Sequence, residues 1–274
     1  MKIALLGAGG KMGVRLATNL KGSVYDVAHV EISDVGRQRL KDAVGVDCVD
    51  MDKAVDGAGV VILAVPDNAI KAISAKVVPL VAPGTIVMAL DAAAPFAGHL
   101  PVRDDVTYFV SHPCHPPIFN DETDEAAKRD FFGGIAAKQS IVSALMQGPE
   151  EHFEIGEAVA KTIFRPILRA HRVTVDQMAL LEPGLSETVC ATLLVAMREA
   201  MDDVVARGVD PVAARDFLLG HMNILGAVVM GEVQGAFSDA CNRAIENGKR
   251  RLLRDDWKGV FERAEIAESI RAIT

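Results

Sequence analysis

The chain is short of positive charge. Its 29 lysines and arginines are outnumbered by 37 aspartates and glutamates, giving a net charge of −8, which argues against nucleic acid or an anionic membrane surface as a partner. Half of the residues are hydrophobic, yet no charge-free apolar run reaches the ~18 residues of a membrane helix, so no membrane span is expected. The cysteines are few (Cys48, Cys114, Cys190 and Cys241) and form no C-x-x-C pair. A disulfide framework is therefore not expected, and reduced thiols in a cytoplasmic protein are. The first residues lack a basic leader with an apolar segment and cleavage site, so no signal peptide is expected. Repeats and low-complexity tracts are missing too. With 274 residues the chain has material for one large or two modest domains.

What is present begins at once. Residues 1–6 are a short apolar run that breaks into Gly7-Ala8-Gly9-Gly10-Lys11-Met12-Gly13, followed by a helical stretch at 14–20. A buried strand, a glycine cluster and a helix in that order hold a dinucleotide pyrophosphate in α/β proteins. Gly7 allows the tight turn, Gly9 or Gly10 removes a Cβ that would block the phosphates, and Gly13 lets the helix pack closely on the sheet. Compared with the simplest G-x-G-x-x-G spacing, the third glycine comes one place late, with Met12 where a glycine often stands.

Two halves follow different patterns. Further β-rich runs lie at 24–32, 60–65, 85–90, 107–111 and 140–147, with helical stretches near 35–44 and 68–80. This alternation predicts a Rossmann-type, doubly wound α/β sheet over residues 1–148. From Gly148-Pro149 onward the period is helical, with Val189, Leu193, Met197, Met201 and Val204 near i, i+4 spacing and Asp210-Pro211 as cap and first turn of a further helix. Residues 149–274 are therefore expected to form an all-helical domain. Its apolar succession Ile224, Leu225, Val228, Val229 and Met230 predicts a surface covered by a partner subunit, as in a homodimer, or by the first domain.

An acid at the end of the second strand accepts hydrogen bonds from the ribose hydroxyls of NAD and repels a 2′-phosphate. Glu31 is the candidate and Asp34 the alternative, while Arg37 is the nearby residue that would favour NADP; NAD is the preferred reading. Val65 and Pro66, closing the third strand, could line the cofactor cleft.

Two clusters carry chemistry. Ser111-His112-Pro113-Cys114-His115-Pro116-Pro117 follows a strand, so it belongs at the same carboxyl edge as the cofactor. Oxidising an alcohol with NAD requires a base, and His112 or His115 is suited to that near neutral pH; Cys114 is read as packing. The second cluster is Glu182-Pro183-Gly184-Leu185-Ser186-Glu187 in an apolar helical region. Proline there should kink the helix or free carbonyls, and carboxylates in apolar surroundings need partners. Glu182 and Glu187, joined by a loop histidine such as His115, are candidate ligands for a divalent cation, Mg²⁺ or Zn²⁺. His221 is a weaker candidate ligand, more readily a core histidine, and Lys138 could hold a substrate carboxylate, though a solvated lysine is the default.

The glycine loop, residues 60–67, the His112-Pro113 turn and the helical second half together resemble the superfamily of 6-phosphogluconate, β-hydroxyacid and prephenate dehydrogenases. Within it, the chain is most similar to the D-apionate oxidoisomerase family over nearly its whole length. The resemblance implies NAD-linked oxidation of a small branched sugar acid, D-apionate, to 3-oxo-isoapionate, by hydride removal at C2 and migration of a hydroxymethyl group from C3. A cation bridging the two oxygens would assist that shift, and His112, His115 and Glu182 are the side chains on which catalysis is expected. The lysine and asparagine spaced four apart in β-hydroxyacid dehydrogenases are missing from the helical half, as is the acidic ligand set of ketol-acid reductoisomerases. Two other readings stay open: a plain NAD(P)-dependent hydroxyacid dehydrogenase without migration, and a dinucleotide sensor without turnover. The paired histidines argue against the sensor, which needs no proton shuttle.

Overall fold

The structure, a computed structural model of the chain, describes residues 1–273. It opens with β1 (Lys2–Leu6), α1 (Lys11–Leu20), β2 (Asp26–Val30), α2 (Asp34–Val44) and α3 (Met51–Val55). Next come β3 (Val60–Leu63), α4 (Asp67–Val77), β4 (Ile86–Ala89), α5 (Ala93–Phe96) and β5 (Thr107–Pro113). After α6 (Glu125–Arg129), β6 (Gln139–Gln147) and α7 (Glu151–Ile163), a seventh strand, β7 (Ile167–Arg172), leads into α8 (Val175–Ala179). The remainder is helical: a π-helical stretch at Leu180–Ala191, then α9 (Thr192–Ala206), α10 (Pro211–Met230), α11 (Asp239–Leu252) and α12 (Arg263–Ile273).

The strands form one sheet in the order β2-β1-β3-β4-β5-β6-β7. β1 to β5 are parallel, β6 is antiparallel to β5, and β7 is parallel to β6. Parallel strands covered on both faces read as continuous apolar runs, and β3 (VVIL) and β4 (IVMA) are buried at every position. Side chains alternate between two layers. Ile3, Leu5, Ile62, Met88 and Phe109 face α1 and α7, while Ala4, Leu6, Val61, Leu63 and Val87 face the α3 and α4 side. A smaller cluster (Ala89, Val110, Val142, Ala144 and Met178) continues toward β6 and α8. The chain reverses direction across the sheet between β1 and β3, and the crevice at the carboxyl ends of those strands is where open α/β sheets bind ligands.

Two compact units result: residues 1–182 with the last residues from 267, and residues 183–266. The fold class is as expected, but the sheet does not stop at residue 148. β7 falls inside the segment expected to be all helical, because ILRAHR is a half-exposed edge strand with only weak alternation. In the helical unit, α9 and α11 bury no residue and α10 buries only Ala214 and Ala227. Two helical runs, Val175–Ala206 and Pro211–Met230, are long and apolar enough to cross a bilayer by length and composition alone; neither is free of charge, since they carry Glu182 and Arg198, and Arg215 and Asp216.

His29 in β2 is 7% exposed, and its Nε2 has no hydrogen-bond partner among the described residues. Burial holds the imidazole below its ordinary value of 6.5, so below about pH 6.5 the unfolded chain binds a proton that the folded chain refuses. Stability from this residue is complete above that pH and is lost on acidification, by at most about 1.4 kcal/mol per pH unit. Urea melts of His29→Leu between pH 7 and 5 should show a shallower loss of stability than the wild type.

Candidate active site

The cofactor junction is built by close backbone approach. Gly7 is left-handed (φ 78°), and its N–H and that of Ala8 donate to the Val30 carbonyl at 2.9 and 3.0 Å. A Cβ on Gly7 would stand 2.2 Å from the Ala64 carbonyl oxygen and 2.9 Å from Val65, so β1 and the end of β3 touch here. On Gly13 it would stand 2.1 Å from the Gly7 oxygen, which is the expected helix-on-strand packing. Gly9 has another role than clearing phosphates: its Cβ would lie 2.3 Å from Gly36 in α2. That leaves Gly10, where a Cβ would meet nothing nearer than the Gly7 oxygen at 3.3 Å. Gly10 caps α1, whose first turn (Lys11, Met12 and Gly13) has no side-chain cap and no acid. Such a helix end offers free N–H donors and positive potential to an anion.

Glu31 follows β2 as anticipated. Its two carboxylate oxygens accept from the N–H of Gly9 (3.0 Å) and of Ser33 (2.9 Å), stapling the glycine loop to the start of α2. Arg37 donates to the Glu31 carbonyl rather than to the carboxylate. Pro66 caps α4 beside the half-buried Val65. These residues fit a dinucleotide.

Three polar side chains extend the small third cluster to the carboxyl edge. Asp91 stands two residues beyond Ala89, His112 two beyond Val110, and Glu182 one helical turn beyond Met178, so each inherits the face of its buried predecessor. A capping box between Thr174 and Gln177 sets the start of α8, and Pro183 lies within the π-helical stretch that follows. π-helical insertions are frequent at functional sites.

His112 Nδ1 lies 2.8 Å from the Leu90 carbonyl oxygen. A carbonyl only accepts, so Nδ1 carries the hydrogen, and in the neutral ring Nε2 presents its lone pair. Facing it, 3.3 Å away, is Glu182 Oε2; Asp91 Oδ2 is 3.7 Å from Nδ1. Two acceptors in opposition call for a proton or a cation between them. Donor atoms of Asp91, His112 and Glu182 all lie within 4.8 Å of one another, and among the described residues no other group of His, Cys, Asp or Glu is so placed. Of the ligands expected from sequence, only Glu182 belongs to this group. His115 Nδ1 bonds instead to the Phe132 carbonyl oxygen at 2.9 Å, and Glu187 is exposed in the helical unit. Asp91 was not anticipated; its signal is an acid directly after a buried strand, in line with the glycine loop and the histidine turn.

Asp67, at the start of α4, is a fourth charged group nearby. Burial first, then the Asp91 charge, pushes its carboxyl above the ordinary range, with His112 opposing. Burial and the Glu182 charge push the Cys114 thiol up against the opposing pull of Arg169, which leaves it unreactive at neutral pH. Lys138 is exposed. His221 is exposed too and bonds to the carbonyl of Phe217 within its own helix.

A dinucleotide cradle at the switch point, with an acid–imidazole cluster on the same sheet edge, defines an NAD-dependent oxidoreductase. Family models agree: "NAD binding domain of 6-phosphogluconate dehydrogenase" matches residues 2–95 and "Phosphogluconate dehydrogenase (decarboxylating) C-term" matches 120–274. D-apionate oxidoisomerases of Cupriavidus necator and Rhizobium rhizogenes are 71% and 68% identical over 100% and 99% of this chain and 99% of each of theirs. The chain belongs to the D-apionate oxidoisomerase family. A crystal structure described as a semialdehyde dehydrogenase NAD-binding protein from C. necator, in complex with calcium and NAD, is similar at 71% identity and TM-score 0.98, covering 100% of this chain and 99% of that one. An NADH-preferring ketol-acid reductoisomerase from an uncultured archaeon shares the fold at 19% identity (TM-score 0.72, 99% of this chain and 83% of that one).

The glycine geometry separates two substitutions. Gly10→Val should leave the fold intact and weaken NAD binding by about tenfold or more, since its side chain enters the cradle. Gly9→Ala should instead lower the melting temperature, through its collision with α2. Calorimetric titration with NAD and thermal melts of both variants check this.

Proposed function

We propose that the protein oxidises D-apionate with NAD and rearranges it to 3-oxo-isoapionate. The observation that carries this reading is the opposition of His112 Nε2 and Glu182 across 3.3 Å beside Asp91, at the sheet edge that holds the cofactor cradle. NAD, when bound, supplies the hydride acceptor. A divalent cation, Mg²⁺ or Zn²⁺ being the first choices, would be held by Asp91, His112 and Glu182 and would supply polarisation of the substrate oxygens. The calcium bound with NAD by the C. necator protein supports a site for a divalent cation.

In the oxidation, the C2–H bond breaks with transfer of hydride, and the C2 hydroxyl proton passes to a base. In the migration, the C3 hydroxyl loses its proton and becomes the ketone. The hydroxymethyl group moves with its electron pair from C3 to C2, and the former C2 carbonyl oxygen takes up a proton. With His112 engaged among carboxylates, His115 is the proton acceptor, since its Nδ1 is committed to Phe132 and Nε2 keeps its lone pair. A second reading has one observation in its favour: a proton on His112 Nε2 would also resolve the clash with Glu182, giving a dehydrogenase without cation or migration.

The helical unit is assigned to dimerisation. Its exposed Leu193, Met197, Phe217, Ile224, Leu225 and Val229 form a surface suited to a second copy of the chain, and sedimentation should give a dimer. The four cysteines are unpaired, in keeping with a cytoplasmic protein.

The test is incubation with NAD, Mg²⁺ and D-apionate, following reduced cofactor by absorbance and the product skeleton by ¹³C NMR. A rearranged 3-oxo acid is expected, with activity lost on chelation and restored by the metal; an unrearranged 2-oxo acid would establish the plain dehydrogenase. His112→Ala should lower turnover about 100-fold or more while NAD affinity is nearly unchanged. Glu182→Gln should weaken metal binding at least about tenfold by calorimetry.

A further inference from the structure

Arg15 plays no part in the chemistry above, yet its contacts end at a reacting side chain. It stands in α1, one turn in from the helix end that faces the cofactor. Its Nη1 donates to the Gly133 carbonyl at 2.6 Å and lies 3.5 Å from the Asp130 carboxylate. The guanidinium also covers the Phe132 ring, 4.9 Å from its centroid. Asp130, with a side chain only 6% exposed, accepts from the backbone N–H groups of Gly133, Ile135, Ala136 and Ala137. The turn is wound around that carboxylate, and Arg15 neutralises it.

Phe132 then meets His115 twice. Its carbonyl accepts from Nδ1 at 2.9 Å, and its ring lies 5.0 Å from the imidazole, edge to face. His115 is the only non-glycine residue among those described with a left-handed backbone (φ 59°). Such a conformation costs of order 1–3 kcal/mol and persists only where surrounding contacts enforce it. The imidazole is T-shaped to that of His112, with centroids 6.1 Å apart.

We propose that Arg15 is a positioning residue for His115, clamping the 130–134 turn so that the Phe132 carbonyl holds the Nδ1–H tautomer and leaves Nε2 bare. The helix that cradles the cofactor and the histidine that accepts the proton thereby become one rigid piece. Hydride and proton acceptors are set together, which is worth most in a reaction that must move both. This rests on the reading of His115 as the proton acceptor.

The test compares wild type, Arg15→Met, His115→Gln and the double variant. Arg15→Met keeps the aliphatic stem and should lower kcat about tenfold or more with KM for NAD nearly unchanged, and Arg15→Lys should recover part of the loss. The double variant should be no slower than His115→Gln alone, because one residue acts through the other. Losses that multiply, or a wild-type kcat in Arg15→Met, would overturn the proposal. Should Arg15→Met not fold, Phe132→Leu weakens the same clamp without touching α1, and the same comparison is made with it. A readout independent of activity is the ¹⁵N spectrum of histidine-labelled protein. His115 should be the Nδ1–H tautomer in wild type and a mixture in Arg15→Met; an unchanged tautomer would refute the clamp. That spectrum still decides the matter if D-apionate is not turned over at all, so failure of the substrate reading stays separate from failure of this one.

Discussion

Because a carbonyl oxygen can only accept a hydrogen bond, the main-chain oxygens of Leu90 and Phe132 determine what the two histidines of the site can do. Each takes the Nδ1 hydrogen of one imidazole, so in the neutral ring Nε2 is the atom with the lone pair. For His112, Nε2 faces the Glu182 carboxylate at 3.3 Å, and a proton or a cation between them would make that contact favourable. For His115 no acid is paired with Nε2 among the described residues, and the proposed reaction gives that ring the proton. The two rings thus share one type of backbone contact, and what differs between them is the group that each Nε2 faces. Their order along the chain, three residues apart in a proline-braced turn, did not distinguish them.

The sheet makes this division possible. Parallel strands end on a common edge, so residues just past β1, β3, β4 and β5 become neighbours although they are far apart in sequence. Gly7 meets Ala64 and Val65 at the switch point. Asp91 follows β4 and His112 lies near the end of the adjacent β5, strands about 4.8 Å apart. Glu182 reaches the edge from α8, which packs through Met178 on the same face. The π-helical stretch around Pro183 begins at Leu180, so the helix departs from regular α geometry where it delivers this carboxylate. Pro183 has no N–H to donate to an earlier carbonyl, so the ladder is interrupted here whatever the helix type.

The parts of this site that depend on local chemistry were legible in the sequence. The glycine loop, the acid closing β2, the histidine turn and the carboxylate before Pro183 all announce themselves by residue type and spacing. What depends on register between distant strands was not legible. Asp91 carries no local signal beyond following a buried strand, and its pairing with His112 needs β4 beside β5. Glu187 was grouped with Glu182 on sequence proximity, yet the structure leaves it outside the cluster. Gly9 looked like a phosphate-facing glycine because its neighbour in space, Gly36, lies 27 positions away. β7 was missed since an exposed edge strand does not need the apolar run that marks β3 and β4.

Charge favours one of the two chemical readings proposed for the cluster. Asp91, Glu182 and Asp67 surround a single imidazole, and the substrate class brings a carboxylate of its own. A proton on His112 would offset one negative charge among several, leaving a site that repels the acid it should bind. A divalent cation held there would offset two and would supply polarisation of the substrate oxygens. The carboxyl of Asp67, raised first by burial and then by the Asp91 charge, shows the same crowding of acids. The helical half lacks the lysine and asparagine spacing of β-hydroxyacid dehydrogenases, and the acids of this cluster would suit a positive charge brought from outside the chain. The migration reading is favoured by the same surplus: a plain dehydrogenase needs only a base, whereas moving a group between two oxygen-bearing carbons would gain from polarisation of both oxygens.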